Sequence, residues 1–193
     1  ETTGLSPWGG DEVIEIGAMK IYGDDIDEKN VFHSMINPKR LISPDATRVN
    51  GITNEMAAAA PKSSEALSMF LEFCGTDALL VAHNAPFDMS FVGNELDRER
   101  IAYPPNLILD TVDIYRRFYP GLPSYSLLSL AQQFGLSQTQ EHRGLSDAHL
   151  VRRLLRSALD ELPIVDDTPA LKRLFSVYQM SAWKPEPSGL PVQ

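Results

Sequence analysis

The stretch ALLVAHNAPFDMSFV, residues 78–92, changes character halfway along. Its first six residues are a short apolar run without alternation, the pattern of a strand buried on both faces. From Pro86 the apolar residues recur at helical spacing, so PFDMSFVGNELDRER (86–100) reads as a helix. Asp88 falls in its first turn, with Phe91 and Val92 three and four positions on. A carboxylate on an apolar helix face, just past the carboxyl end of a strand, stands where open α/β sheets place their ligands.

Working outward, LILDT (107–111) is a second short apolar strand, followed by helical residues 112–120. Upstream, DEVIEIGAMKIY (11–22) and VFHSMINP (31–38) are strand-like, and the acidic, glycine-bearing segment between them suits a hairpin connection. PDATRVNGI and NEMAAAAP predict short helices around a turn at Gly51. SSEALSMFLEF predicts an amphipathic helix with serine caps and a stripe of Leu67, Phe70 and Leu71. YSLLSLAQQFGL is helical up to Gly135, and a long helix runs from Ser146 to Leu162, where Pro163 stops it. TPALKRLFSVYQM (168–180) predicts one more amphipathic helix, through Leu171, Leu174, Phe175 and Tyr178, before a proline-rich tail. The fold class is α/β: a mixed sheet with an antiparallel hairpin and parallel strands, flanked by helices. The expected organisation is one domain over residues 1–162 and a C-terminal helix with its tail over 163–193.

Composition narrows the function. Of 193 residues, 43% are hydrophobic and 22% charged, a globular balance. No apolar run is long enough to span a bilayer, so no membrane partner is expected. The single cysteine, Cys74, rules out an intrachain disulfide and suits a reducing compartment, the cytoplasm. A net charge of −9 argues against a broad basic face gripping nucleic acid. It leaves room for an enzyme that holds a chain end in a small pocket with cations against the phosphate.

Two further carboxylates resemble Asp88. In EHRGLSDAHL (141–150), Asp147 is followed at helical spacing by Leu150, Val151, Leu154, Leu155 and Ala158, and His142 lies five residues before it. Asp147 is either a first-turn acid favouring the helix dipole or a metal ligand; Ser146 is already a candidate N-cap. In ETTGLSP (1–7), Glu1 precedes a tight, glycine-bearing exit from a strand. Because the chain opens on Glu1 rather than methionine, further residues carrying that strand are expected before it.

Taken together, ETTGLSP, HNAPFD and HRGLSD resemble the three motifs of the DEDD 3′–5′ exonucleases, in the variant with a histidine in the last motif (DEDDh). The branch most resembled is the epsilon proofreading subunit of bacterial DNA polymerase III. VIEIGAMKI, INP, GIT, LDT and SLLSLAQQFGL are similar to its intervening pieces. The resemblance implies a ribonuclease H-like mixed β-sheet. It also implies hydrolysis of phosphodiester bonds at DNA 3′ ends by a two-metal-ion mechanism with Mg2+ or Mn2+. Glu1 and Asp147 would be direct metal ligands, Asp88 would hold the second metal, and His142 would be the general base. Thr2 and Thr3 would meet the terminal nucleotide through their backbone, with Leu5 wedged against its base. Asp45, Asn50, Asn84 and Phe87 would complete the substrate-binding set, with Phe87 either stacking on a base or belonging to the core. Asn50 departs from a place where the family commonly has histidine. The first aspartate of the family pattern would fall two positions before Glu1. Implied partners are single-stranded DNA and a DNA polymerase subunit. Two alternatives stand beside this reading: an RNA-trimming exoribonuclease, and a catalytically dead polymerase-associated binding module.

Overall fold

The computed structural model describes residues 1–22, 30–160 and 175–183. Strands β1 (Glu15–Met19) and β2 (Val31–Met35) pair antiparallel, from Glu15 opposite Met35 to Met19 opposite Val31. Their connecting turn lies outside the described residues. Residues 1–3 run antiparallel along the other side of the same segment: Ile14 N–H donates to the Glu1 carbonyl at 2.8 Å, and Thr3 N–H to the Glu12 carbonyl at 2.9 Å. The tip of the first motif is therefore fixed by sheet hydrogen bonds.

Between the strands come α1 (Pro44–Asn50), α2 (Asn54–Ala58) and α3 (Ser63–Cys74). Ser43 caps α1 by accepting from Ala46 N–H, Pro44 opens the helix, and Gly51 closes it in the left-handed conformation. The expected serine cap of α3 is not formed: Lys62 precedes the helix without a side-chain cap. The Ser63 hydroxyl donates instead to Glu95 at 2.8 Å, inside the protein.

Strand β3 (Leu80–Ala82) leads through His83 and Asn84 into α4 (Ala85–Glu99), and β4 (Leu107–Asp110) leads into α5 (Thr111–Phe118). β3 and β4 are parallel, as their apolar runs and helical crossover require. Burial divides them. Ile108 and Leu109 of β4 are fully buried, whereas all three residues of β3 are only half-buried, short of the expectation for a strand covered on both faces. β3 pairs with β4 alone among the described residues.

After α6 (Leu127–Gln133), helix α7 spans Gly144–Asp160. It starts two residues before Ser146, which therefore is not its N-cap. The expected helix over 168–180 is also corrected. Residues 168–174 lie outside the described set, but Val177–Gln179 form β5, antiparallel to β4, followed by a 3₁₀ turn at Met180–Trp183. The open edge of β4 offered backbone partners, and that pairing overrode the helical spacing of Phe175 and Tyr178.

Two main cores result. One joins Ile16, Phe32 and Ile36 to α3 and α4 through Leu67, Phe70, Phe91 and Leu96. The other joins Leu109 to Ile114, Tyr115, Leu130, Leu150, Leu154 and Ala158. The apolar stripe after Asp147 is thus the face that α7 buries. No helix of the described residues is long and apolar enough to cross a membrane.

Candidate active site

Each expected acidic residue is carried by a backbone position that the fold fixes for local reasons. Glu1 is half-buried and pinned beside β1, its amine donating to the Glu15 carbonyl at 2.7 Å. Asp88 sits in the first turn of α4. The turn before it is set by Asn84, which is left-handed (φ 64°) and donates its N–H to the Asp110 carboxylate at 2.9 Å. Asp110 is buried, and the same oxygen caps α5 at Val112 N–H, so one carboxylate holds both strand ends. His83 completes the turn, 2.7 Å from the Thr111 hydroxyl and 2.8 Å from the Tyr125 carbonyl. It shapes the crossover and is not placed as a ligand.

Asp147 is half-buried in the first turn of α7, and its carboxylate accepts from Gln140 Nε2 at 2.6 Å. His142 lies two residues before α7 in a left-handed conformation (φ 51°). For a residue with a Cβ this costs about 1–2 kcal/mol, so its neighbours must impose it.

The electrostatics show that these residues share one region. Burial raises the Glu1 carboxyl above its ordinary range; Asp147 pushes further upward and His142 pulls down. Burial also raises Asp147, with Gln140 and His142 opposing. Asp88 keeps contact with water, yet surrounding protein displaces enough solvent to push it up to about 7, and Glu1 and Asp110 add to the rise. Carboxylate oxygens are hard donors, whose chemistry fits a hard divalent cation. As the side chains stand, no group of three His, Cys, Asp or Glu among the described residues closes around a single metal position. Charge proximity is therefore present and a closed cage is not.

The expected substrate residues divide. Leu5 is 83% exposed beside the motif, free to meet a base. Asp45 is exposed and ion-paired with Arg48. Asn50 is buried, donating to the Thr2 carbonyl at 3.4 Å and accepting from Ile52 N–H, so it braces the first motif from behind. Thr3 is buried, and both its amide and its hydroxyl are committed to the turn through Glu12 and Asp11. Thr2 donates its hydroxyl to the Gly4 carbonyl at 2.6 Å. Asn84 is exposed at the head of α4. Phe87 is half-buried and packs at 5.0 Å against Phe91, a core contact.

Sequence reasoning missed Glu15. Fully buried on β1, its carboxylate accepts from Arg143 Nη2 at 2.5 Å, from Arg143 Nε at 3.1 Å and from Gly144 N–H at 2.8 Å. His33 Nε2 lies 2.8 Å away. Burial alone would raise this carboxyl; the hydrogen bonds from Arg143, His33 and Gly144 overcome it and lower the pKa to about 2. The available signal was a glutamate between Ile14 and Ile16 in a strand that alternation otherwise buries. Arg143 is committed to this pair.

Comparison with known proteins agrees with the fold. The family model described as Exonuclease, of the RNase T type, matches residues 1–155. The PolC-type DNA polymerase III of Caldanaerobacter subterraneus subsp. tengcongensis is 38% identical over 162 residues, covering 84% of this chain but only 11% of the polymerase. The 3′-5′ exonuclease DinG of Bacillus subtilis is 35% identical over 175 residues, covering 90% of this chain and 18% of that protein. The chain thus spans a small part of these relatives. Among solved structures, exonuclease X in complex with 5′ overhanging duplex DNA superposes with a TM-score of 0.66 at 26% identity, over 86% of this chain and 91% of that one.

Proposed function

The chain belongs to the RNase T-type exonuclease family, and from that premise we propose that it removes nucleotides from the 3′ ends of DNA. The fold is ribonuclease H-like and the chemistry is that of a nuclease hydrolase. One observation carries the finer reading: Glu1 lies within electrostatic reach of Asp88, Asp147 and His142, and Asp147 within reach of His142, although they come from three separated motifs. In this reading Glu1, Asp88 and Asp147 hold two divalent ions, Mg2+ or Mn2+. When bound, such ions neutralise charge on the scissile phosphate and lower the pKa of an attacking water. Each carboxylate must be ionised to serve, so the upward shifts of Glu1, Asp88 and Asp147 predict ligand sites that fill better as pH rises.

His142 takes the proton from the attacking water through a ring nitrogen. It lies half-exposed on a short backbone excursion before α7. Leu5 packs against the terminal base, while Asn50 keeps the Thr2 carbonyl, and with it the first motif, in register. Residues 1–162 are the exonuclease unit. The PolC-type relative supports proofreading beside a polymerase, and DinG supports 3′-to-5′ polarity.

The test is strand shortening on 5′-labelled single-stranded DNA, and on RNA of the same sequence, with Mg2+ or Mn2+. A ladder shrinking from the 3′ end of DNA, lost in Asp147→Ala and His142→Ala, is expected. Faster shortening of RNA would transfer the assignment to an exoribonuclease. Full activity in both variants would overturn the site.

A further inference from the structure

We propose that Glu15 is a positioning residue for the general base: through Arg143 and Gly144 it fixes the backbone that aims His142 at the site. This rests on the assignment of His142 above. The geometry is specific. His142 is directly followed by the two residues whose polar groups converge on one buried carboxylate. Arg143 approaches as a fork, Nη2 at 2.5 Å and Nε at 3.1 Å from Glu15 Oε1, while Gly144 N–H donates to Oε2 at 2.8 Å. Both carboxylate oxygens are engaged, which fixes orientation as well as distance. The remaining polar neighbour, His33, approaches Oε1 from β2 and anchors the carboxylate from the opposite strand.

Close packing enforces the same placement. A Cβ on Gly17 would lie 2.2 Å from the Gly144 carbonyl carbon, and one on Gly144 would lie 2.7 Å from Gly17 N. Backbone therefore touches backbone where α7 meets β1, and only glycine fits. Pinned at Arg143 and Gly144, the chain enters α7 through a left-handed backbone at His142. The first free amide of α7 finds its partner in Glu15. A carboxylate on a strand far away in sequence thus holds helix start, glycine contact and base in one arrangement.

The experiment compares the parent chain with Glu15→Gln, Arg143→Met and His142→Ala, and with each of the first two combined with His142→Ala. Two readouts are used: amide hydrogen exchange at Gly144 by NMR, and kcat on labelled single-stranded DNA. Glu15→Gln keeps the size of the buried group, and Arg143→Met alters a partly exposed side chain, so correct folding is checked by unchanged exchange at Leu109. The expected result is about tenfold faster exchange at Gly144 in both variants, with kcat lower by about tenfold to a hundredfold and KM little changed. In the His142→Ala background the same substitutions should lower kcat by less than about twofold, because an effect exerted through the base vanishes with it. Parent-like kcat in Glu15→Gln and Arg143→Met, with His142→Ala inactive, would overturn the positioning role alone. Equal losses in both backgrounds would overturn it too, leaving Glu15 a stability residue. Parent-like kcat in His142→Ala would remove the base and this inference together.

Discussion

The two ends of helix α7 are held by different physics. From Leu150 onward it buries Leu150, Leu154, Leu155 and Ala158 against Leu109, Ile114 and Leu130. Its amino-terminal end rests on a charge pair, one amide and a glycine-on-glycine contact with β1. Apolar packing is non-directional and tolerates substitution of similar volume. A bidentate ion pair at a buried carboxylate fixes direction and does not tolerate loss of one partner. Asp147 and His142 stand at the directional end. Stability of α7 and aim of its chemistry therefore come from separate sets of residues, and the two should be separable by substitution.

His142→Ala should give the largest effect on the directional side: kcat lower by about 10²–10⁴-fold, with a melting temperature near that of the parent, read by single-turnover kinetics and calorimetry. At the apolar end, Leu154→Ala should cost about 2–5 kcal/mol in urea unfolding while kcat, measured well below the melt, stays near the parent value. A large loss of kcat there would break the separation. Gly17→Ala tests the seam, since the added methyl meets backbone that cannot step aside. It should cost about 1–3 kcal/mol and also lower kcat, because α7 must shift at the end that carries the chemistry.

Glu15 sharpens the comparison through pH. Its folded pKa is about 2 against an ordinary 4.5. A depressed carboxylate stabilises the folded state above its unfolded pKa and loses that contribution as pH falls through the folded one. Relative to Glu15→Gln, the parent should carry a stability advantage of at most about 3 kcal/mol near neutral pH, shrinking between pH 4.5 and 2. Urea midpoints of both proteins across that range measure it; a constant difference would show that charge is not what holds the seam. The smallest effect belongs to the exposed Asp45–Arg48 pair. Asp45→Ala should change stability by less than about 1 kcal/mol, and a clear rise in KM would mark Asp45 as a substrate contact.

What could be read in the sequence follows the same division. Asp88 and Asp147 were legible because local helical spacing put each at the head of an apolar stripe, and because the stripes proved to be the buried faces of α4 and α7. The αβ alternation and the parallel pairing of β3 with β4 followed from short apolar runs separated by helices. The start of α7 was not legible: its cap is Glu15, 129 residues earlier, and no local signal competes with the nearby Ser146. The strand at Val177–Gln179 was hidden because its partner is the edge of β4, while the local spacing favoured a helix. Local patterns reported faces; they did not report which distant group would meet them.

Binding of Mn2+ followed by electron paramagnetic resonance tests most directly whether the separated carboxylates form one metal centre. Parent protein should bind the ion, and Asp88→Asn and Asp147→Asn should each weaken that binding at least about tenfold while melting no lower than the parent, because each removes one of several neighbouring like charges. Undiminished Mn2+ affinity in either variant would contradict a shared centre.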